Sequence, residues 1–140
     1  MLLMWTENLS CGVKEFDDDH KRLIKMINHL HGAIEDAREK GELDKEEIEI
    51  VLHRLENYTK YHCGREEQYF QETGYPDLEA HKAEHQRLID GIAEMQGRFH
   101  NSTDPKQATE IVQVIYDWLV EHIFVTDKKF CPHMHTHGIF

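Results

Sequence analysis

The chain reads as an all-α protein, an antiparallel up-down-up-down four-helix bundle with an N-terminal arm and a short C-terminal tail. Three observations lead there. Apolar residues recur at spacings of three and four along four long stretches. Short turn signals separate the stretches, at Gly41, at Gly74-Tyr75-Pro76 and at Asn101-Ser102-Thr103-Asp104-Pro105. The period-two alternation that marks strands is almost absent.

Residues 1 to about 16 show no sustained period and read as the arm. The first helix is expected after Asp17-Asp18-Asp19, because carboxylates there suit free N–H groups and the positive end of the helix dipole. Its apolar face is Phe16, Leu23, Ile24, Ile27, Leu30 and Ile34, and Gly41 is a typical stop. The second helix opens at Asp44, with Glu47 three residues on as a variant capping box. Its inner face runs Ile48, Val51, Leu52, Leu55, Tyr58, then His62 and Glu66. The third carries Leu78, His81, His85, Leu88, Ile92, Met95 and Phe99. The fourth starts with Asp104 as N-cap and Pro105 in the first helical position, and its stripe is Ile111, Val112, Ile115, Leu119 and His122, with Trp118 alongside. Pro132 is expected to help end regular structure. The chain is thus read as one domain: arm about 1–16, bundle about 17–130, tail 131–140.

At 140 residues the chain is long enough for one real core. A net charge of -11 argues against nucleic acid or an anionic membrane as a partner held by the overall field. No run approaches the roughly 20 apolar residues of a membrane span. The start Met1-Leu2-Leu3-Met4-Trp5 is apolar but lacks the length and basic lead of a signal peptide. Cys11, Cys63 and Cys131 are widely spaced without a Cys-x-x-Cys, which points to reduced thiols and a reducing compartment. The expectation is a soluble, cytoplasmic protein.

Twelve histidines are many for this length. Two pairs at i,i+4, His62 with Glu66 and His81 with His85, each place two side chains on one helix face. They continue the apolar stripes instead of lying on the solvated face. His122 with Asp127 is a third candidate pair, and His20 stands alone near the start. In the predicted bundle the starts of helices one and three share an end with the finishes of helices two and four. All seven candidates therefore fall at that end. Any one pair alone is weak, since helix surfaces often carry His and Glu at this spacing; the convergence outweighs that reading.

Five imidazoles and two carboxylates are too many for one ion and suit two six-coordinate ions bridged by carboxylate, with an open position. Such a set fits iron, zinc, copper or manganese better than calcium or magnesium. Two divalent ions bring four positive charges; Glu66, Asp127 and a hydroxide bridge remove three, which keeps burial tolerable.

The series His20, His62-x-x-x-Glu66, His81-x-x-x-His85, His122-x-x-x-x-Asp127 resembles the bacterial hemerythrin family. The flanks are similar too: Trp5, Gly12-Val13, Asp17 three before His20, and Asp127-Lys128-Lys129. The resemblance covers nearly the whole chain. It implies a non-haem di-iron centre, oxo- or hydroxo-bridged, that takes dioxygen as a reversible ligand for storage, delivery or sensing, and no enzymatic activity. It implies that His81, His85 and His122 hold one iron, that His20 and His62 hold the other, which keeps the open position, and that Glu66 and Asp127 bridge them. Spacing does not carry Asp127, because five residues are about 140° of helical rotation; a π-bulge or loosened turn would supply the swing. The rival readings are a di-iron enzyme reducing peroxide or nitric oxide, and an iron- or oxygen-responsive regulatory module.

Two positions depart from that pattern. Cys63 stands where an aromatic residue is usual and is followed by Gly64, so a gap beside the open iron position, and faster autoxidation, are expected. Asp19 stands where glutamine is more common. Leu23, Ile24, Trp118, Leu119 and Ile123 are the expected apolar wall. Cys63 itself reads as a small packing residue before a redox-active thiol. His29 and His53 face away from the stripes and read as surface residues, His31 as a packing or bundle-end residue, and His100 as a helix end near solvent. His133, His135 and His137 alternate in the tail and could bind a soft metal, but incidental histidines in a disordered tail are the stronger reading.

Overall fold

Four helices follow one another in the order expected. The computed structural model describes residues 3–42, 44–102 and 104–140, apart from the side chains of Pro105, Val112, Phe124, Thr126 and Asp127. Helix α1 spans Lys14–Lys40, α2 Lys45–Thr73, α3 Leu78–His100 and α4 Pro105–Glu121. Each packs on its successor and α4 closes against α1. Leu23, Ile27, Leu30, Ile48, Leu52, Leu55, Ile92, Phe99, Ile115 and Leu119 interdigitate in the buried centre. Among the described residues the core stripes are those read from the sequence, except that in α2 Thr59 is buried and Tyr58 only partly so, and in α3 Leu78 is only partly buried; the Val112 side chain lies outside the described residues.

The helix ends explain where the chain turns. The Asp44 side chain accepts a hydrogen bond from the Glu47 N–H at 3.1 Å, and the Asp104 side chain accepts from the Lys106 N–H at 3.1 Å. Gly41 and Gly74 close α1 and α2 at φ 69° and 67°, where a side chain would be strained. Helix α1 begins at Lys14, three residues before the acidic cluster expected to cap it. Asp17 reaches back instead: its Oδ1 accepts from the Cys11 N–H at 2.8 Å, and its Oδ2 accepts from the Ser10 hydroxyl. The carboxylate pins the arm to the first turn of the bundle.

The last ten residues do not form the expected tail without structure. Cys131–Thr136 is a short helix, α5. Pro132 lies in its first turn, where a missing N–H is harmless, so it starts the helix instead of ending one. Cys131 and Met134 are buried with Phe16, Phe70, Tyr75 and Phe130, forming a second apolar cluster with the arm residues Cys11 and Val13.

Cys11 and Cys131 form a disulfide, with Cα atoms 5.6 Å apart. The expectation of reduced thiols is therefore wrong for this pair. A separation of 120 residues carries no local signal, and only folding sets arm and tail side by side. Cys63 remains a buried thiol.

Between α4 and α5 the backbone makes a π-helical turn at His122–Thr126 and a 3₁₀ turn at Asp127–Lys129. Among the described residues, no helix is long and apolar enough to cross a membrane.

Candidate metal centre

The polar residues that continue the apolar stripes meet inside the bundle. His20 comes from α1, His62 and Glu66 from α2, His81 and His85 from α3, and His122 from the end of α4. All six are at most 5% exposed. The Glu66 carboxylate is at the centre: its Oε1 lies 3.2 Å from His62 Nε2, 3.1 Å from His85 Nε2 and 3.7 Å from His122 Nε2. His20 Nε2 is 3.1 Å from His62 Nε2.

These atoms form two groups that share Glu66. One is His20, His62, Glu66 and His122; the other is Glu66, His81 and His85. Within each, the potential ligand atoms lie within 4.8 Å of one another. Nitrogen and carboxylate donors from four helices, gathered this way, fit two first-row transition-metal ions joined by one carboxylate. His122 was expected with His81 and His85. It falls in the group of His20 and His62, yet its ring centroid is also 5.0 Å from that of His85, so it stands between the two.

The Asp127 side chain lies outside the described residues. The backbone that carries it has the feature its spacing called for. A π turn joins residue i to i+5, and this one begins at His122, so residue 127 follows one wide turn later.

Outer partners aim the imidazoles. His62 Nδ1 donates to Asp19 Oδ2 at 3.0 Å, which fixes the tautomer and turns Nε2 toward the cluster. Tyr58 donates its hydroxyl to Asp19 Oδ1 at 2.8 Å, and Arg65 Nε lies 3.6 Å from Oδ2. Burial pushes the Asp19 carboxyl up, but the His62 and Tyr58 hydrogen bonds and the charge of Arg65 win and hold it below the usual range. It is therefore ionised, and His62 must be the donor. His85 follows the same plan, with Nε2 toward Glu66 and Nδ1 3.6 Å from Glu67 Oε2. Burial opposes protonation of His85, yet the Cys63 thiol and the Glu66 and Glu67 carboxylates beside the ring push it up to about 12. A carboxylate this deeply buried needs a positive partner, and a bound cation supplies one with the imidazoles neutral.

Apolar and aromatic groups surround the candidate ligands. Phe70 and Phe130 stand edge-on to His81 at 4.7 and 5.4 Å between centroids. Leu23, Ile24, Leu119 and Ile123 are buried within about one helical turn of His20 or His122. Trp118 lies against Gly91 of α3; a Cβ there would sit 2.7 Å from its ring. A surface cleft of about 400 Å³ reaches His122, between Trp118 and Leu88 on one side and Glu84, Arg87, Glu121 and Lys129 at its mouth.

The remaining histidines lie outside these two groups, and His31 is half-buried, as a packing residue would be. His29, His53 and His100 are exposed, and His100 Nδ1 pairs with Glu49 Oε1 at 2.8 Å. The tail imidazoles tie α5 down: His133 Nε2 to the Thr73 hydroxyl at 2.9 Å, His135 Nε2 to the Gly12 carbonyl at 3.1 Å. Gly64 faces solvent and opens no gap into the site. Sequence reasoning missed the role of Asp19 and Tyr58, whose partner lies on another helix. Cys63, read as a packing residue before a redox-active thiol, is buried in the α2 stripe Thr59, His62, Cys63, Glu66, Phe70.

Comparison with known proteins agrees with this geometry. Residues 11–134 match the family model described as the hemerythrin HHE cation binding domain. The bacteriohemerythrin of Methylococcus capsulatus is 35% identical over 94% of this chain and 95% of its own. That of Stenotrophomonas maltophilia is 31% identical over 97% of this chain and 84% of its own. A crystal structure of wild-type hemerythrin superposes with a TM-score of 0.81 at 32% identity, covering 96% of this chain and 98% of the other.

Proposed function

We propose that this chain, which belongs to the hemerythrin family, binds dioxygen reversibly at a non-haem di-iron centre and returns it unchanged, as a store, carrier or sensor and not as an enzyme. The observation that carries the reading is the pair of ligand groups sharing Glu66. His20 and His62 would hold one iron, His81 and His85 the other, with His122 between them and Glu66 and Asp127 bridging. When bound, two adjacent ferrous ions supply the two electrons that oxygen binding draws on and that its release restores.

The protein's own part is placement and exclusion. Asp19 holds the Nδ1 proton of His62, so the Nε2 lone pair faces inward. Glu66 joins both groups without a change of rotamer. Buried apolar side chains flanking His20 and His122 keep bulk water and stray protons away, which favours release over irreversible oxidation. Arm, bundle and tail act as one domain in this reading.

The test is the visible spectrum of the iron-loaded, reduced protein, recorded without air, in air, and after oxygen removal. Charge-transfer bands that come with oxygen and leave with it are the expected result. A spectrum that changes once and never reverts overturns the carrier reading. The cleft at His122 is the observation favouring the second reading, a reductase for peroxide or nitric oxide; its signature is turnover with an added reductant.

A further inference from the structure

Cys63 is the group that the oxygen-binding reading leaves unused. It is 1% exposed, sits next to His62 in α2, and carries a reduced thiol. Its Sγ and one ring nitrogen each of His85 and His122 all lie within 4.8 Å of one another. The three come from three different elements, α2, α3 and the π turn after α4, so the fold presets their approach.

We propose that Cys63, His85 and His122 form a second metal site, overlapping the di-iron centre, that takes one borderline divalent cation such as zinc. One thiolate and two imidazoles are a set that zinc and cobalt accept readily in tetrahedral geometry. The fourth position falls to water or to Glu66 Oε1, which is 3.1 Å from His85 Nε2 and 3.7 Å from His122 Nε2. As the sulfur–metal bond forms, the S–H bond breaks and its proton leaves to solvent. The cleft that reaches His122, with Glu84 and Glu121 beside Arg87 and Lys129, is the path for the ion. Because His85 and His122 are common to both sites, zinc here and the iron pair exclude each other. The proposal shares those two residues with the di-iron reading but does not depend on oxygen binding.

The test uses the full chain stripped of metal, with the Cys11–Cys131 disulfide intact, titrated with cobalt(II) alone. The expected result is one equivalent bound with tetrahedral ligand-field bands and a near-ultraviolet sulfur-to-cobalt charge-transfer band. That band is lost in Cys63→Ala and Cys63→Ser. Zinc should displace the cobalt, and its affinity should drop at least about 100-fold in both variants, beyond what losing an outer partner costs a site. Zinc-loaded wild type should fail to take up iron. Cobalt bound by wild type without the sulfur band overturns the proposal, whether or not the variants fold. So does a band that persists in Cys63→Ala, since it then does not come from the Cys63 sulfur. Oxygen-dependent bands in iron-loaded Cys63→Ala report separately on the di-iron reading: their absence from both wild type and variant, with the cobalt band present, sinks that reading and leaves the triad standing.

Discussion

Replacing Asp19 with Asn should weaken metal binding at the His20–His62 side of the centre without unfolding the bundle. The carboxylate accepts two short hydrogen bonds, 3.0 Å from His62 Nδ1 and 2.8 Å from the Tyr58 hydroxyl, and Arg65 stands 3.6 Å away. An amide of the same shape has one acceptor oxygen for those two donors, and its NH2 faces Arg65 or an N–H. The lost charge-assisted bond is worth about 1.5–3 kcal/mol. Independent experience with partners of metal-bound histidines gives a 10–100-fold loss of affinity, or about 1.4–2.8 kcal/mol. The two estimates agree, so the variant should need roughly 10–100 times more free metal to fill its weaker site. A competition titration against a chromophoric chelator, with ferrous iron under nitrogen, measures this directly. Tyr58→Phe is the companion: it removes one donor but leaves the charge, and its loss should be about tenfold at most. An Asn variant that binds both ions within twofold of wild type, with unchanged helix content, would refute the argument that Asp19 orients His62.

Three further outcomes follow from the same structure. Glu66→Ala removes the oxygen shared by both ligand groups, so metal content measured on the purified protein should drop from two ions per chain to one or none; two retained ions would mean that Glu66 is not the bridge. Reducing the Cys11–Cys131 bond opens a loop of about 120 residues, for which chain entropy predicts a loss of about 4–5 kcal/mol and a midpoint lower by about 15 °C. Equal thermal melts with and without reductant would contradict it. Gly91→Ala and Gly32→Ala should differ in sign. The first drives a methyl to 2.7 Å from Trp118 and should destabilise by about 1–3 kcal/mol, whereas the second meets nothing within 4 Å and should gain about 0.5–1 kcal/mol, both read from urea midpoints.

What was legible in the sequence was local. His62 and Glu66, or His81 and His85, declare themselves because four residues is one helical turn and the stripe around them is apolar. Asp44 and Asp104 signal helix starts for the same reason: cap and capped N–H are two or three residues apart. What stayed hidden spans the fold. The Asp19–His62 hydrogen bond joins residues 43 apart, and the disulfide joins residues 120 apart. Asp17 misled because a carboxylate before a helix is usually its cap, while here the arm claims it. The π turn was visible only as an anomaly, a five-residue spacing that no regular helix would align.

The disulfide alters the connectivity of the candidate metal-binding residues as well as the anchoring of the arm. Along the backbone His20 and His122 are 102 residues apart. Each, however, is nine residues from its nearer cysteine, Cys11 or Cys131. In the oxidised chain the two histidines are therefore joined by a path of about eighteen residues through the sulfur bridge, and the closure cost of bringing them together falls accordingly. His62, Glu66, His81 and His85 lie on the opposite arc of the same covalent ring. An unfolded but oxidised chain still holds the segments that carry His20 and His122 as neighbours, which shortens the search that rebuilds the cluster.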